Sequence, residues 1–277
     1  MGELGAKLKE LVVQPGTGAV AWLGQAGFAI KSAGGAIALI DPFLSNYAEI
    51  AWGLNRAVPT PLEPDDLTPD LILVTHWHED HLDKPTIVAY RDNPAVTLVA
   101  PASALARASA WGWPAERQVR IEQGQTITQG DLEITATFTR HDPFVSVVPD
   151  AVGYRVNAGE LRIWHVGDSE YDSRLREFRN EDIDVMLVPI NGVGGNMNAY
   201  EAALLTWWVD PPVAVPMHYD MWAPEDFGPG ATLDPEIFSS ALRTYGSKTV
   251  PFVMGRGVIA VLTVVERGTP EEVATDD

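Results

Sequence analysis

Residues 74–83 read VTHWHEDHLD and follow directly on the apolar run Leu71-Ile72-Leu73. A short apolar run of this kind predicts a fully buried strand. The three histidines and two aspartates behind it predict a loop built to hold metal. His76 and His78 stand two apart, which in extended backbone sends both imidazoles to the same side. Asp80 and His81 follow at once, where the chain must turn. One loop therefore offers three imidazoles and a carboxylate, ligands that suit zinc, manganese or iron alike.

The chain has six histidines, and the other three are His141, His165 and His218. His141 ends the predicted strand LEITATFTR, His218 nearly ends PVAVPM, and Asp168 ends LRIWHV. Strand ends are where side chains from distant segments converge on one site. An isolated histidine pair reads as a solvated polar loop, but metal-competent residues at three further strand ends are hard to ascribe to chance. His165 lies inside its strand, three residues before Asp168, and reads as a hydrogen-bonded core or supporting residue.

Further candidates surround this set, each with a plainer alternative. Asp41 closes the strand AIALID and either reaches the histidine loop or caps the turn before Pro42. Glu79 is an orienter of an imidazole or a solvated loop residue, and Asp220 supports His218 from two residues on. Asn191 and Asn196, in NGVGGNMN, donate to a substrate oxygen or serve loop geometry. Arg140 holds a carboxylate or phosphate, or sits in a structural ion pair. Trp77, Tyr219 and Trp222 line an apolar wall or simply pack.

The whole chain narrows the function further. Its 277 residues are 46% hydrophobic, enough to bury one large core. With 19 basic against 38 acidic residues the formal charge is -19, which repels phosphate backbones at long range. The nearest approach to a basic run is RLREFR at 174–179, so no nucleic-acid partner is expected. The absence of cysteine excludes disulfides, thiolate metal sites and a cysteine nucleophile. No stretch approaches 18 uninterrupted apolar residues, and the N-terminal segment lacks the apolar region of a secretory signal. The expectation is a cytoplasmic protein acting on a small molecule, with no membrane partner; homo-oligomerisation is left open.

Strand-like and helix-like patterns alternate along the chain. AVAWLGQAGFAIKSAGGAIALIDP predicts two strands joined at SAGG. Residues 42–70 read as a long loop with five prolines, of the kind that carries function. Helices are predicted at KPTIVAYRD, ASALARASAW, NAYEAALLTWWV and DPEIFSSALRTYG, the third opened by a capping box of Asn198 and Glu201. TVPFVMG and GVIAVLTVV predict a closing strand pair. Strands outnumber helices, so the expected fold class is α/β, with two mixed sheets packed face to face and helices outside. A single domain over 1–277 is expected, with a core of about 15–265 and a disordered acidic tail.

Taken together, His76, His78, Asp80, His81, His141, Asp168 and His218 resemble the signature of the metallo-β-lactamase superfamily. PGTGAVAWLGQAGFAIKSAGG, THWHEDHLD, HVGDSEY and VPMHYDMW are similar to its L-ascorbate-6-phosphate lactonase-like branch, and the similarity runs over residues 15–262. The segments around TRHDPF and MGRG depart from that branch. The resemblance implies a four-layer αββα sandwich and two divalent metal ions, zinc or manganese, with iron as a further option. It implies that His76, His78 and His141 hold one metal, that Asp80, His81 and His218 hold the other, and that Asp168 bridges them.

Two such cations lower the pKa of a shared water and give hydroxide near neutral pH. Asp80 is the expected catalytic residue, orienting that hydroxide or delivering a proton to the leaving group. No Gly-x-Ser-x-Gly elbow competes with this reading. The expected activity is the opening of a lactone or related small-molecule ester. The alternatives are a small-molecule phosphodiesterase and, from another class, a non-catalytic metal-binding regulator.

Overall fold

The computed structural model describes residues 3–141 and 148–264. The apolar runs of the first half form β1 (Thr17–Gly24), β2 (Gly27–Lys31), β3 (Ile37–Ile40), β4 (Leu71–Leu73), β5 (Thr97–Ala100) and β6 (Gln118–Arg120). A second sheet holds β7 (Thr126–Gln129), β8 (Leu132–Thr137), β9 (Gly153–Ala158), β10 (Leu161–His165), β11 (Val185–Pro189), β12 (Val213–Met217) and β13 (Val250–Pro251). The last strand, β14 (Ile259–Thr263), returns to the first sheet beside β1. Spatial order is β14-β1-β2-β3-β4-β5-β6 in one sheet and β13-β12-β11-β10-β9-β8-β7 in the other.

Both sheets mix parallel and antiparallel pairs, and alternation along the strands sends residues to two faces. Val20, Trp22, Phe28, Ile30 and Ile40 of the first sheet share one core with Ile134, Tyr154, Val156 and Ile163 of the second. The opposite face of the first sheet, with Leu23, Ala29, Leu39 and Ile72, is covered by α1 (Glu3–Glu10), α3 (Lys84–Arg91) and α4 (Ala102–Ala110). Over the second sheet, α5 (Ala199–Val209) packs on α7 (Pro235–Thr244) and on β11. This is the four-layer αββα sandwich. Two short helices, α2 (Tyr47–Trp52) and α6 (Pro224–Phe227), stand at one rim.

The sequence expectations fail in four places. AVAWLGQAGFAI is two strands rather than one, because the chain reverses at Gln25, whose φ is 53°. Apolar continuity across Gln25-Ala26 masks that turn. The segment 42–70 contains α2 and a 3₁₀ turn at Pro64–Asp66. The closing strands are not a pair: β13 joins β12 while β14 joins β1, on different sheets. Periodicity specifies a strand but not its partner. His141 and Asp168 also lie beyond their strands, which end at Thr137 and His165. The expected disordered tail lies outside the described residues.

Candidate metal centre

The strands β1, β3 and β4 of the first sheet run in one direction, as do β8, β10, β11 and β12 of the second. The segments after their C-terminal ends meet at a single rim. Behind β4 the loop closes tightly, with His81 N and Leu82 N both donating to His78 O at 3.0 and 2.8 Å. That turn gathers His76, His78, Asp80 and His81, while β8, β10 and β12 lead into His141, Asp168 and His218.

Two neighbouring groups result, joined by a third that shares a residue with each. His78 Nδ1 lies 2.9 Å from His76 Nε2 and 3.1 Å from His141 Nε2. Three ligand atoms on one tetrahedral zinc, each at about 2.0–2.1 Å, stand roughly 3.3 Å apart, so this trio is close to single-ion spacing. In the second group, Asp80 Oδ2 is 3.6 Å from His81 Nε2 and 3.5 Å from His218 Nε2. Asp168 Oδ2 lies between the groups, 3.3 Å from His81, 3.2 Å from His218 and 4.0 Å from His141. His76, His81 and Asp168 also form a group with ligand atoms within 4.8 Å of one another.

Buried polar atoms are almost always paired. Here His81 Nε2 and Asp168 Oδ1 are buried and lack hydrogen-bond partners among the described residues. A divalent cation fits such a set of nitrogen and carboxylate donors. The electrostatics agree. Burial pushes His76, His78 and His141 down, His78 to about 4, and keeps these imidazoles neutral, the form that ligates. Burial acts the same way on His81 and His218, but the Asp168 and Asp80 carboxylates outweigh it and raise both. Burial would raise Asp168, yet the His218 and His81 rings hold its carboxyl well below the usual range.

A layer of buried partners orients this set. Asp41 accepts from Thr75 N at 2.8 Å and Thr75 Oγ1 at 2.6 Å, and its Oδ2 is 2.7 Å from His81 Nδ1. It therefore reaches the histidine loop. Asn196 donates to Asp168 Oδ2 at 3.1 Å and accepts from Ser169 N at 2.9 Å. Asn191 borders the cavity and donates to Val193 O at 3.3 Å. His165 is a core residue, with Nε2 2.8 Å from Ala26 O and its ring edge-on to Phe28. The remaining candidates are held in ion pairs: Arg140 takes its plainer role with Glu170, while Glu79, not a solvated loop residue, pairs with Arg107, and Asp220 with Arg256. Asp220 is thus committed to an arginine rather than to His218.

Two residues escaped the sequence reading. Gln25 donates to Asp80 Oδ2 at 2.7 Å, and its carbonyl accepts from His218 N at 3.1 Å. The only trace of it in the sequence is Gly24-Gln25-Ala26-Gly27 between apolar runs. Asp83, the second aspartate of the opening stretch, is buried and accepts from Ser45 Oγ at 2.6 Å and Leu44 N at 3.3 Å. It fastens the segment leading to α2. The end of α2 with Leu54 beyond it, the loop after β11, and Trp222 with α6 wall a cavity of about 380 Å³ above His78, Asp80, Asp168 and His218.

A family model described as "Beta-lactamase superfamily domain" matches residues 19–218. Together with the αββα sandwich and its rim of histidines and aspartates, the match makes the chain a member of the metallo-β-lactamase superfamily. A UPF0173 metal-dependent hydrolase of Methanopyrus kandleri is 30% identical over 236 residues, 82% of this chain and 92% of that protein. The probable L-ascorbate-6-phosphate lactonase UlaG of Escherichia coli O127:H6 is 27% identical, covering 79% of this chain and 74% of its own. Igni18, a metallo hydrolase of Ignicoccus hospitalis, superposes with a TM-score of 0.69 at 21% identity, over 89% of this chain and 98% of its own. Within the superfamily the chain falls in the UPF0173 and UlaG-like branch.

Proposed function

We propose that this member of a metal-dependent hydrolase family opens a lactone or related ester of a small molecule. The observation that carries the reading is the convergence of seven buried or half-buried His and Asp side chains on one rim, beneath an open cavity. His76, His78 and His141 would hold one divalent cation, Asp80, His81 and His218 a second, with Asp168 shared between them. Two cations there supply Lewis acidity and a water acidified towards neutral pH. All-nitrogen and oxygen ligation suits zinc or manganese, and iron as well.

The chain's own residues do the rest. Asp80 lines the cavity, and Gln25 fixes one of its oxygens, so the carboxylate is held where it can orient a water and move a proton. In the reaction one water is consumed. Its oxygen bonds to the acyl carbon, the ring C–O bond breaks, and the proton ends on the leaving oxygen. The charge of -19 supports a small-molecule substrate over a nucleic acid.

The test is turnover of a lactone panel, compared with bis(p-nitrophenyl) phosphate, by wild type and Asp80→Ala after metal loading. Lactone opening that falls by about a hundredfold to ten-thousandfold in the variant is the expected result. The variant's metal content is measured in parallel, since Asp80 also belongs to the second group. Unchanged turnover overturns the role of Asp80, and preference for the phosphodiester overturns the lactone reading.

A further inference from the structure

Beyond the histidines and aspartates at its floor, the cavity has a one-sided chemistry. Its walls are Trp52, Leu54, Trp77, Val193, Trp222 and Phe227. Trp222 stands edge-on to Phe43, with ring centroids 5.6 Å apart, and both belong to a small apolar cluster with Met221 and Phe227. The wall is therefore backed by packed side chains. Trp52 is 42% exposed at the mouth, edge-on to the His78 ring with 6.4 Å between centroids.

The charged side chains of the lining are all acidic: Glu79, Asp80, Asp168 and Asp226. Among the described residues the lining has no lysine or arginine, and residues 142–147 contain none either. The arginines around this rim are committed elsewhere. Arg107 pairs with Glu79 at 3.1 Å and lies 3.8 Å over the Trp77 ring. Arg56 donates to the carbonyls of Phe43, Ser45 and Val58 and does not line the cavity. Arg140 pairs with Glu170, and Arg256 with Asp220. A phosphate or carboxylate on the far part of a substrate would lose its hydration here without gaining a cation.

From this arrangement we infer that the substrate carries an uncharged, planar apolar group beside the bond that is cut, and no phosphate or carboxylate. Trp52, Trp222 and Phe227 are the specificity-determining residues: they offer ring faces and edges to that group, and Asp226 at the open side repels anions. The inference rests on the hydrolase reading above but concerns recognition, so it can fail separately.

The test uses the metal-loaded full chain and two paired probes. Calorimetric titration compares 3,4-dihydroquinolin-2-one, a non-hydrolysable lactam, with its 6-carboxylate. Turnover compares 3,4-dihydrocoumarin with its 6-carboxylate and with γ-butyrolactone. The neutral lactam should bind at least roughly tenfold tighter than the carboxylate, and dihydrocoumarin should lead in kcat/KM by a similar factor. Trp52→Ala should raise the KM for dihydrocoumarin roughly tenfold and so narrow its lead over γ-butyrolactone. Asp226→Lys, on an exposed position, should narrow the gap between neutral and anionic probes. Equal or tighter binding of the carboxylate, or binding of neither lactam, overturns the inference. Selective lactam binding without any lactone turnover supports it and overturns the lactone reading instead.

Discussion

Three of the five non-glycine residues with positive φ among the described residues stand at the metal centre: Gln25 at 53°, Asp41 at 42° and His218 at 66°. Such conformations cost on the order of 1–3 kcal/mol each and persist where the surroundings hold them. Here they are held: Asp41 N donates to Leu73 O at 2.9 Å, and His218 N to Gln25 O at 3.1 Å. The turns aim the side chains off the strand ends and into the rim. Asp41 is the clearest case, because its carboxylate fixes the His81 ring through Nδ1. Asp41→Asn keeps the shape and weakens that acceptor. Metal affinity, measured by competition with a chelator, should fall by roughly 10- to 100-fold. An unchanged affinity would show that Asp41 serves the turn alone.

At the scale of elements, the C-terminal ends of parallel-running strands collect the site, and close strand packing makes that possible. Gly153, in β9, pairs with Thr137 of β8. A Cβ there would meet Thr137 Oγ1 at 2.6 Å, Val166 O at 2.6 Å and His165 O at 2.7 Å. These atoms lie on the approach to Asp168, so the glycine lets the backbones converge. Gly153→Ala should destabilise the protein by about 1–3 kcal/mol through overpacking. At about 2–4 °C of Tm per kcal/mol for a chain near this size, calorimetry should show a drop of several degrees. A Tm within a degree of wild type would refute the packing argument. Local pattern specifies a helix more fully than it specifies a strand's partner. The capping box of α5 forms as its spacing predicts, with Asn198 accepting from Tyr200 N and Glu201 N at 3.0 Å. By contrast, nothing local in "TVPFVMGRGVIAVL" says that its two strands part to different sheets.

Over the whole molecule, each ligand group draws on both sheets. His76, His78, Asp80 and His81 follow β4 of the first; His141, Asp168 and His218 follow strands of the second. Cations bound there would clamp the two sheets at one rim and favour the folded chain by mass action, about 2.7 kcal/mol at a hundredfold excess over Kd. Chelation should therefore lower the Tm, and stepwise return of zinc or manganese should restore it in proportion to the logarithm of free metal. A Tm indifferent to chelation and reloading would mean that the groups do not bind metal in the folded state. Elsewhere the molecule is acidic, and among the described residues no helix is long and apolar enough to cross a membrane.

What the sequence determined by itself was local and chemical. VTHWHEDHLD after a buried apolar run specifies a strand, a tight turn and a ligand set, because periodicity and donor chemistry act over a few residues. The distant partners His141, Asp168 and His218 were legible as metal-competent residues near strand ends. Tertiary structure alone decided how they share a rim, since that depends on strand order and direction, which hydrophobic patterning leaves open. It also decided which polar neighbours serve the site. Asp41 and Asn196 face it, whereas Glu79, Arg140 and Asp220 are drawn off by partners far away in sequence. Gln25 became visible only through the turn that brings it to Asp80. The cavity walls have the same origin: Trp52 ends α2, Val193 lies in the loop after β11 and Phe227 ends α6, and their shared apolar character exists only once the two sheets have closed.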